Sequence, residues 1–109
     1  MKRRLRKKKR IEEFQELGFG VRYSLREESS LQQRDAFLWD FLEHAIEANE
    51  LLAGGGGGTS MEFFVVSAGR RQSATEEQRR SVERWLAARP EVIAVEVQPL
   101  QDAWHGWDK

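Results

Sequence analysis

Apolar and polar residues alternate along residues 19–26, which predicts a β-strand with one buried face and one solvent-facing face. The apolar positions of this strand are Phe19, Val21, Tyr23 and Leu25. Just before it, apolar residues three positions apart predict a short helical turn over residues 11–17. The apolar residues of this turn are Ile11, Phe14 and Leu17, and Gly18 follows at a favourable position for a C-terminal cap.

Two longer stretches have the apolar spacing of amphipathic helices, and each begins with a capping-box pattern. Ser30 with Gln33 predicts the start of the first helix, and we expect it to end at Asn49. Its expected core residues are Leu31, Phe37, Leu38, Trp39, Phe41, Leu42, Ala45 and Ile46. Thr75 with Gln78 predicts the start of the second helix, which Pro90 ends. Its expected core residues are Val82, Trp85, Leu86 and the stem of Arg89.

Two more strands follow from composition and alternation. Residues 61–68 are nearly continuously apolar and rich in β-formers, which predicts a central strand. Residues 91–97 predict a final strand with Ile93, Val95 and Val97 on one face. Trp104 and Trp107 lie in the C-terminal tail, which we expect to fold back as a partly apolar flap.

Residues 51–60 include five consecutive glycines, and the sequence leaves open whether they form a strand. If they do, the element order is βαββαβ. This order predicts an α+β fold of the ferredoxin-like type, with two helices packed on one face of an antiparallel sheet.

Charge is divided unevenly along the chain. Eight of the eighteen basic residues lie within residues 1–10, which leaves ten basic residues against all eighteen acidic ones in residues 11–109. The eight are Lys2, Arg3, Arg4, Arg6, Lys7, Lys8, Lys9 and Arg10. We therefore expect a disordered basic arm, residues 1–10, joined to a single acidic domain, residues 11–109. Such an arm suits a polyanionic partner.

Composition argues against several classes of function. The chain has no cysteine, so it has no disulfide, thiol nucleophile or cysteine-based zinc site. His44 and His105 alone do not make a metal site, and residues 54–58 lack the lysine that a phosphate-binding loop places before its Thr or Ser. No stretch approaches the ~20 apolar residues of a membrane span. We expect no enzymatic activity, cofactor, metal, small-molecule substrate or membrane association.

The start of the chain resembles the YggL family of 50S ribosome-binding proteins. The resemblance is carried by the basic residues 3–8, by Ile11, by the segment EFQELGF at residues 13–19 and by Val21. Weaker support comes from residues 40–41, 46–49, 75–77, 82, 85–86 and 95–104, and from the glycine-rich stretch before an apolar strand. The chain departs from the family in its longer, plainer glycine run and in the additional Lys9 and Arg10.

The resemblance implies a small cytoplasmic bacterial α+β protein that associates with the large ribosomal subunit and has no enzymatic activity. The family's basic run falls on Arg3, Arg4, Arg6, Lys7 and Lys8. From the charges, we expect all eight basic residues of the arm to contact RNA, and the resemblance implies that this RNA is rRNA. We expect the protein to act as a monomer.

The acidic body should be repelled by bulk RNA and has two interpretations. Its carboxylates either dock on a basic ribosomal protein or form an ordinary solvated helix face. The candidates for docking are Glu27, Glu28, Asp35, Asp40, Glu43 and Glu47. Two alternatives for the whole protein also remain open: a general RNA-binding or ribosome-assembly chaperone module without subunit preference, and a protein-interaction adaptor.

Overall fold

The computed structural model describes residues 16–69 and 72–103 of the 109-residue chain. The predicted arm and Trp104, Trp107 and His105 of the tail lie outside the described residues. The strands are β1 (Leu17–Leu25), β2 (Leu51–Gly57), β3 (Ser60–Ser67), β4 (Val92–Val97) and β5 (Gln101–Asp102). The helices are α1 (Leu31–Asp40), which continues through a π-helical segment (Phe41–Ile46) and a 3-10 turn (Glu47–Asn49), and α2 (Glu76–Ala87).

The strands form one antiparallel sheet in the order β2–β3–β1–β4, and β5 pairs with the first residues of β1. The predicted α+β class is thereby confirmed. The glycine-rich stretch, which the sequence left open, contributes the edge strand β2.

One face of the sheet carries both helices. The alternation in β1 is as predicted, because Phe19, Val21, Tyr23 and Leu25 are all buried. The Tyr23 ring lies 5.0 Å from the Phe37 ring and 5.4 Å from the Phe41 ring, between centroids. Phe41 in turn lies 6.0 Å from Trp85 of α2. A single aromatic cluster therefore joins the sheet to both helices.

Both predicted capping boxes are confirmed. The Ser30 hydroxyl accepts from the Gln33 amide at 3.1 Å, and the Gln33 side chain accepts from the Ser30 amide at 2.8 Å. Thr75 and Gln78 make the same pair of bonds at 3.1 and 2.9 Å. These bonds use backbone donors that a helix start otherwise leaves unpaired.

Two residues expected in the core of the first helix lie on its surface instead. Trp39 is 68% exposed and Leu31 is 67% exposed. The buried side of the helix is defined by Phe37 and Phe41, which are four residues apart. Trp39 is two residues from each, about 200° round the helix axis, so it points away from the sheet.

The ends of the sheet also depart from prediction. Ile93, expected on the same face as Val95 and Val97, is 58% exposed, because the β1–β4 register shifts at Ser24 and Leu25 and brings Val92 opposite Leu25. Leu17, expected to close a helical turn, is the first residue of β1. The other apolar residues of that predicted turn, Ile11 and Phe14, lie outside the described residues.

The β2–β3 hairpin depends on glycine at alternate positions of β2. Gly55 has a φ of 151° and Gly57 a φ of 149°, which residues with side chains rarely adopt. A Cβ atom at Gly55 would overlap the backbone oxygen of Glu62 on β3, whereas one at Gly54 or Gly56 would meet nothing within 4 Å. The glycine run is therefore a structural strand rather than a phosphate-binding loop before a helix.

Candidate functional site

The predicted RNA-binding residues precede the described part of the chain, so the structure gives no position for them. These are Lys2, Arg3, Arg4, Arg6, Lys7, Lys8, Lys9 and Arg10. The structure does define where the chain enters the fold. The Leu17 amide donates to the Ser73 hydroxyl at 3.0 Å, and the Ala103 amide donates to the Glu16 carbonyl at 2.9 Å. The start of β1 is thus held from two directions, by the loop before α2 and by the end of β5.

The six candidate acidic residues lie in two places. Glu27 and Glu28 are in the turn after β1, and the others are spread along the first helix. Asp40 differs from the rest, because it accepts from Arg89 at 3.2 Å and lies 3.9 Å from His44 Nδ1. Glu27, Glu28, Asp35, Glu43 and Glu47 are exposed and form no ion pair with any residue that the structure describes.

One exposed line of side chains runs the length of the first helix, at every fourth residue. We call it the outer face, and it consists of Leu31, Asp35, Trp39, Glu43 and Glu47. Residues four apart are neighbours on a helix surface, so Trp39 lies between Asp35 and Glu43. Trp39, predicted from its hydrophobicity to lie in the core, is instead a surface residue. Trp39 lies four residues from Asp35 and four from Glu43, and this spacing is the sequence signal that places it on their exposed side of the helix.

A groove opens beside the outer face, between the end of β1, the first turns of α1 and the loop before β4. Its volume is about 480 Å³, and Leu25 and Phe37 contribute apolar lining. Three carboxylates also line it, against the single guanidinium of Arg26. They are Glu28, Asp40 and Glu91. We call it the Phe37 groove, and three of its four charged lining residues are acidic.

Arg89 lies next to this groove and joins α2 to α1. Its Nη2 atom is 3.2 Å from a carboxylate oxygen of Asp40 and 3.2 Å from one of Glu91. Its guanidinium carbon is also 4.7 Å from the centroid of the Trp85 ring. A cation between carboxylates and an aromatic face is favoured by both.

The sheet face without helices offers a weaker site. Arg22 projects there, and its Nε donates to Glu62 at 3.2 Å while its Nη1 donates to Glu96 at 3.3 Å. The hydrogen bond to Glu62 and the charges of both carboxylates raise the pKa of Arg22. Phe64 is the one aromatic side chain that the described strands place on this face. Since Arg22 is already paired and the neighbouring acids repel phosphate, this face does not favour RNA.

Of the two histidines, the structure describes His44 alone. His44 Nδ1 donates to the Asp40 carbonyl at 3.2 Å, a bond within one helical turn. Within residues 16–69 and 72–103, no three metal-binding side chains come together, and no helix is long and apolar enough to cross a membrane.

Comparison with known proteins gives a match that covers both the basic residues near the start of the chain and the described body. No solved structure matches the chain. A family model described as YggL 50S ribosome-binding protein matches residues 3–105, a range that includes both the basic run and the strands and helices above. The chain therefore belongs to the YggL family of 50S ribosome-binding proteins.

Proposed function

We propose that this protein binds the large (50S) ribosomal subunit as a non-enzymatic cytoplasmic monomer. The family match over residues 3–105 is the observation that carries this proposal. The separation of charge supports it, because eight basic residues precede a body with an excess of acidic ones.

The basic arm contacts rRNA in this proposal. Successive residues of an extended chain are ~3.3 Å apart, so the arm can follow a phosphate backbone and neutralise several phosphates. Arginine adds bidentate phosphate contacts and base stacking. If about six phosphates are neutralised, the logarithm of the affinity falls with the logarithm of salt concentration at a slope of roughly −4 to −5.

The acidic body determines where the arm binds. Carboxylates on the turn after β1 and along the first helix repel RNA phosphates, which disfavours indiscriminate binding. The same carboxylates suit contact with basic ribosomal proteins.

We also infer that the body is of the ferredoxin-like type. The order β2–β3–β1–β4, with all neighbours antiparallel and both helices on one face, supports this arrangement. The pairing of β5 with β1 extends it by a short strand.

Co-sedimentation with purified 30S, 50S and 70S particles across a salt series tests the proposed function. Three proteins are compared: the full chain, a chain lacking residues 2–10, and a chain with residues 2–10 in shuffled order. We expect the full and shuffled chains to migrate with 50S in a salt-sensitive way, and the deleted chain to remain unbound. Circular dichroism of the deleted chain checks that its fold is intact.

The other outcomes have definite meanings. Equal binding to all particles and to naked RNA indicates a general RNA-binding or assembly-chaperone module. Retained binding of the deleted chain contradicts the role of the arm. No binding of the full chain even at low salt contradicts the ribosomal proposal and favours a protein-interaction adaptor.

A further inference from the structure

The outer face of the first helix has no covering element in the described structure, although it presents a tryptophan. We propose that the outer face and the adjoining Phe37 groove dock an arginine- and lysine-rich protein segment. This inference rests on the proposed function, since it names the chemistry of the ribosomal partner that the acidic body contacts.

Trp39 is the anchor of this surface. Four large hydrophobic side chains are highly exposed in the described residues, and two of them, Leu31 and Trp39, lie on the outer face. Exposing an indole to water forgoes the free energy of burying one of the largest apolar side chains. Tryptophan is also among the residues most enriched in the energetic centres of protein interfaces.

The charges around Trp39 select the kind of partner. Asp35 and Glu43 lie one turn before and after it, and neither is paired with a described residue. The face of an indole attracts cations, and carboxylates form the strongest hydrogen bonds with guanidinium groups. An arginine that stacks on Trp39 would therefore reach a carboxylate on either side.

The π-helical segment affects the last part of the outer face, at Glu43 and Glu47. In a regular α-helix, every fourth residue drifts about 40° round the axis, so a line from Leu31 to Glu47 would spiral away from Trp39. The Glu47 amide bonds to the Leu42 carbonyl, five residues earlier, which widens this turn. The turn that ends at Glu47 is therefore wider than an α-helical turn, which reduces the drift between Glu43 and Glu47.

The Phe37 groove continues the same surface. Ala36 lines the groove and is three residues from Trp39, so the two are neighbours on the helix. Beyond Ala36, the carboxylates of Glu28, Asp40 and Glu91 line the groove. Arg89 already pairs with Asp40 and Glu91, next to an aromatic face. A second basic side chain meets the same chemistry from the solvent side.

The charge of the surface argues against RNA as its occupant. The outer face carries three carboxylates and no cation. Phosphate groups would be repelled at each turn, whereas an extended chain rich in arginine and lysine is attracted.

Four variants of the full-length protein, two tests and two controls, examine the inference by sedimentation with purified 50S particles. We expect Trp39→Ala to weaken binding by about tenfold to a hundredfold, as for a central interface tryptophan. Glu43→Lys should weaken it by about threefold to tenfold. Glu83→Lys makes the same charge change at an exposed position of α2, and Leu52→Ala removes an exposed apolar side chain from the opposite face of the sheet. Both controls should stay within about twofold of the unmodified protein.

A photo-crosslinking amino acid at the exposed position 36, next to Trp39 and on the edge of the groove, identifies the occupant while keeping the tryptophan. After irradiation with 50S particles, we expect an adduct that survives nuclease, disappears with protease and contains a basic ribosomal protein. An adduct with rRNA, or with the chain's own residues 1–10, overturns the inference. Unchanged binding of Trp39→Ala also overturns it and leaves the proposed function intact. If the unmodified protein does not bind 50S particles at all, both proposals fail.

Discussion

The guanidinium carbon of Arg89, just beyond the end of α2, lies over the indole of Trp85 in its last turn, 4.7 Å from the ring centroid. The same guanidinium bonds to Asp40 at the end of α1 and to Glu91 before β4. Its side chain is 29% exposed, so water screens these interactions only in part. Arg89 therefore links three elements that adjoin the Phe37 groove.

Replacing Arg89 should destabilise the fold. We expect Arg89→Ala to lower the free energy of unfolding by about 1–3 kcal/mol, because it removes a stacked cation and leaves Asp40 without its partner. Urea unfolding followed by circular dichroism measures the change. Arg84→Ala is the control, since Arg84 is exposed and has no ion pair among the described residues, and it should stay within about 0.5 kcal/mol. Equal effects of the two substitutions would contradict a structural role for Arg89.

Tyr23 should make the protein sensitive to alkali. It is 1% exposed, and burial raises its pKa from 10.0 to about 12. Since the folded state holds the proton more tightly, stability is complete below pH 10 and falls as the pH rises towards about 12. The expected loss is about 2–3 kcal/mol.

Tyr23 is also the one tyrosine in the chain, so phenolate absorbance reports on it alone. Urea unfolding of the unmodified protein and of Tyr23→Phe, at several pH values, isolates its contribution. The free energy of unfolding of Tyr23→Phe should fall less than that of the unmodified protein as the pH rises from 10 to about 12. Phenolate absorbance that rises near pH 10 while the fold stays intact would contradict the prediction.

Glu76 should make the stability of the fold sensitive to acid, whereas Tyr23 makes it sensitive to alkali. Its carboxylate accepts from Arg79 at 2.8 Å and from Arg80 at 3.0 Å, and these bonds lower its pKa from 4.5 to about 2. The ionised form is favoured in the folded state, so this stabilisation is present above pH 4.5 and is lost as the pH falls towards about 2.

As the pH falls across that range, the thermal unfolding temperature should decrease less for Glu76→Gln than for the unmodified protein. Glu77→Gln, in the same helical turn but without an arginine partner among the described residues, controls for the helix dipole. Because the pair is exposed, added salt should reduce the difference. An identical acid profile for the two variants would refute the assignment.

The two kinds of glycine in β2 should respond differently to alanine. Gly55→Ala places a Cβ against the Glu62 carbonyl at a φ of 151°, and we expect a loss of about 1–3 kcal/mol. Gly54→Ala and Gly56→Ala meet open space, so each should be neutral or stabilise by up to about 1 kcal/mol. Urea unfolding of the three variants distinguishes the positions, and a uniform effect would show that the backbone of β2 does not limit substitution.

Elements specified by local sequence were predictable. The alternation of Phe19, Val21, Tyr23 and Leu25 places four side chains on one face whatever lies above them. A capping box such as Ser30 with Gln33 needs only four consecutive residues.

Features that depend on pairing between distant segments were not predictable. Ile93 is exposed because of a register shift against β1, which the sequence of β4 does not encode. The strand at Gly54 and Gly56 has no side-chain pattern, so only its pairing with β3 reveals it. Trp39 was assigned to the core by its hydrophobicity, although its angular position opposes Phe37.

The candidate site divides in the same way. Acidic residues along the first helix follow from the sequence, as does the basic run of residues 1–10. The Phe37 groove does not, because Leu25, Phe37 and Glu91 come from three separated segments.

The bond between the Ala103 amide and the Glu16 carbonyl makes the first and last residues that the structure describes neighbours in space. A circularly permuted protein is therefore feasible, in which a short linker joins these two positions. Its new termini would lie at residues 58–59, in the turn of the β2–β3 hairpin. In such a protein the basic arm can be attached at the opposite end of β1, with its sequence unchanged. The location of the arm thus becomes an experimental variable separate from its charge.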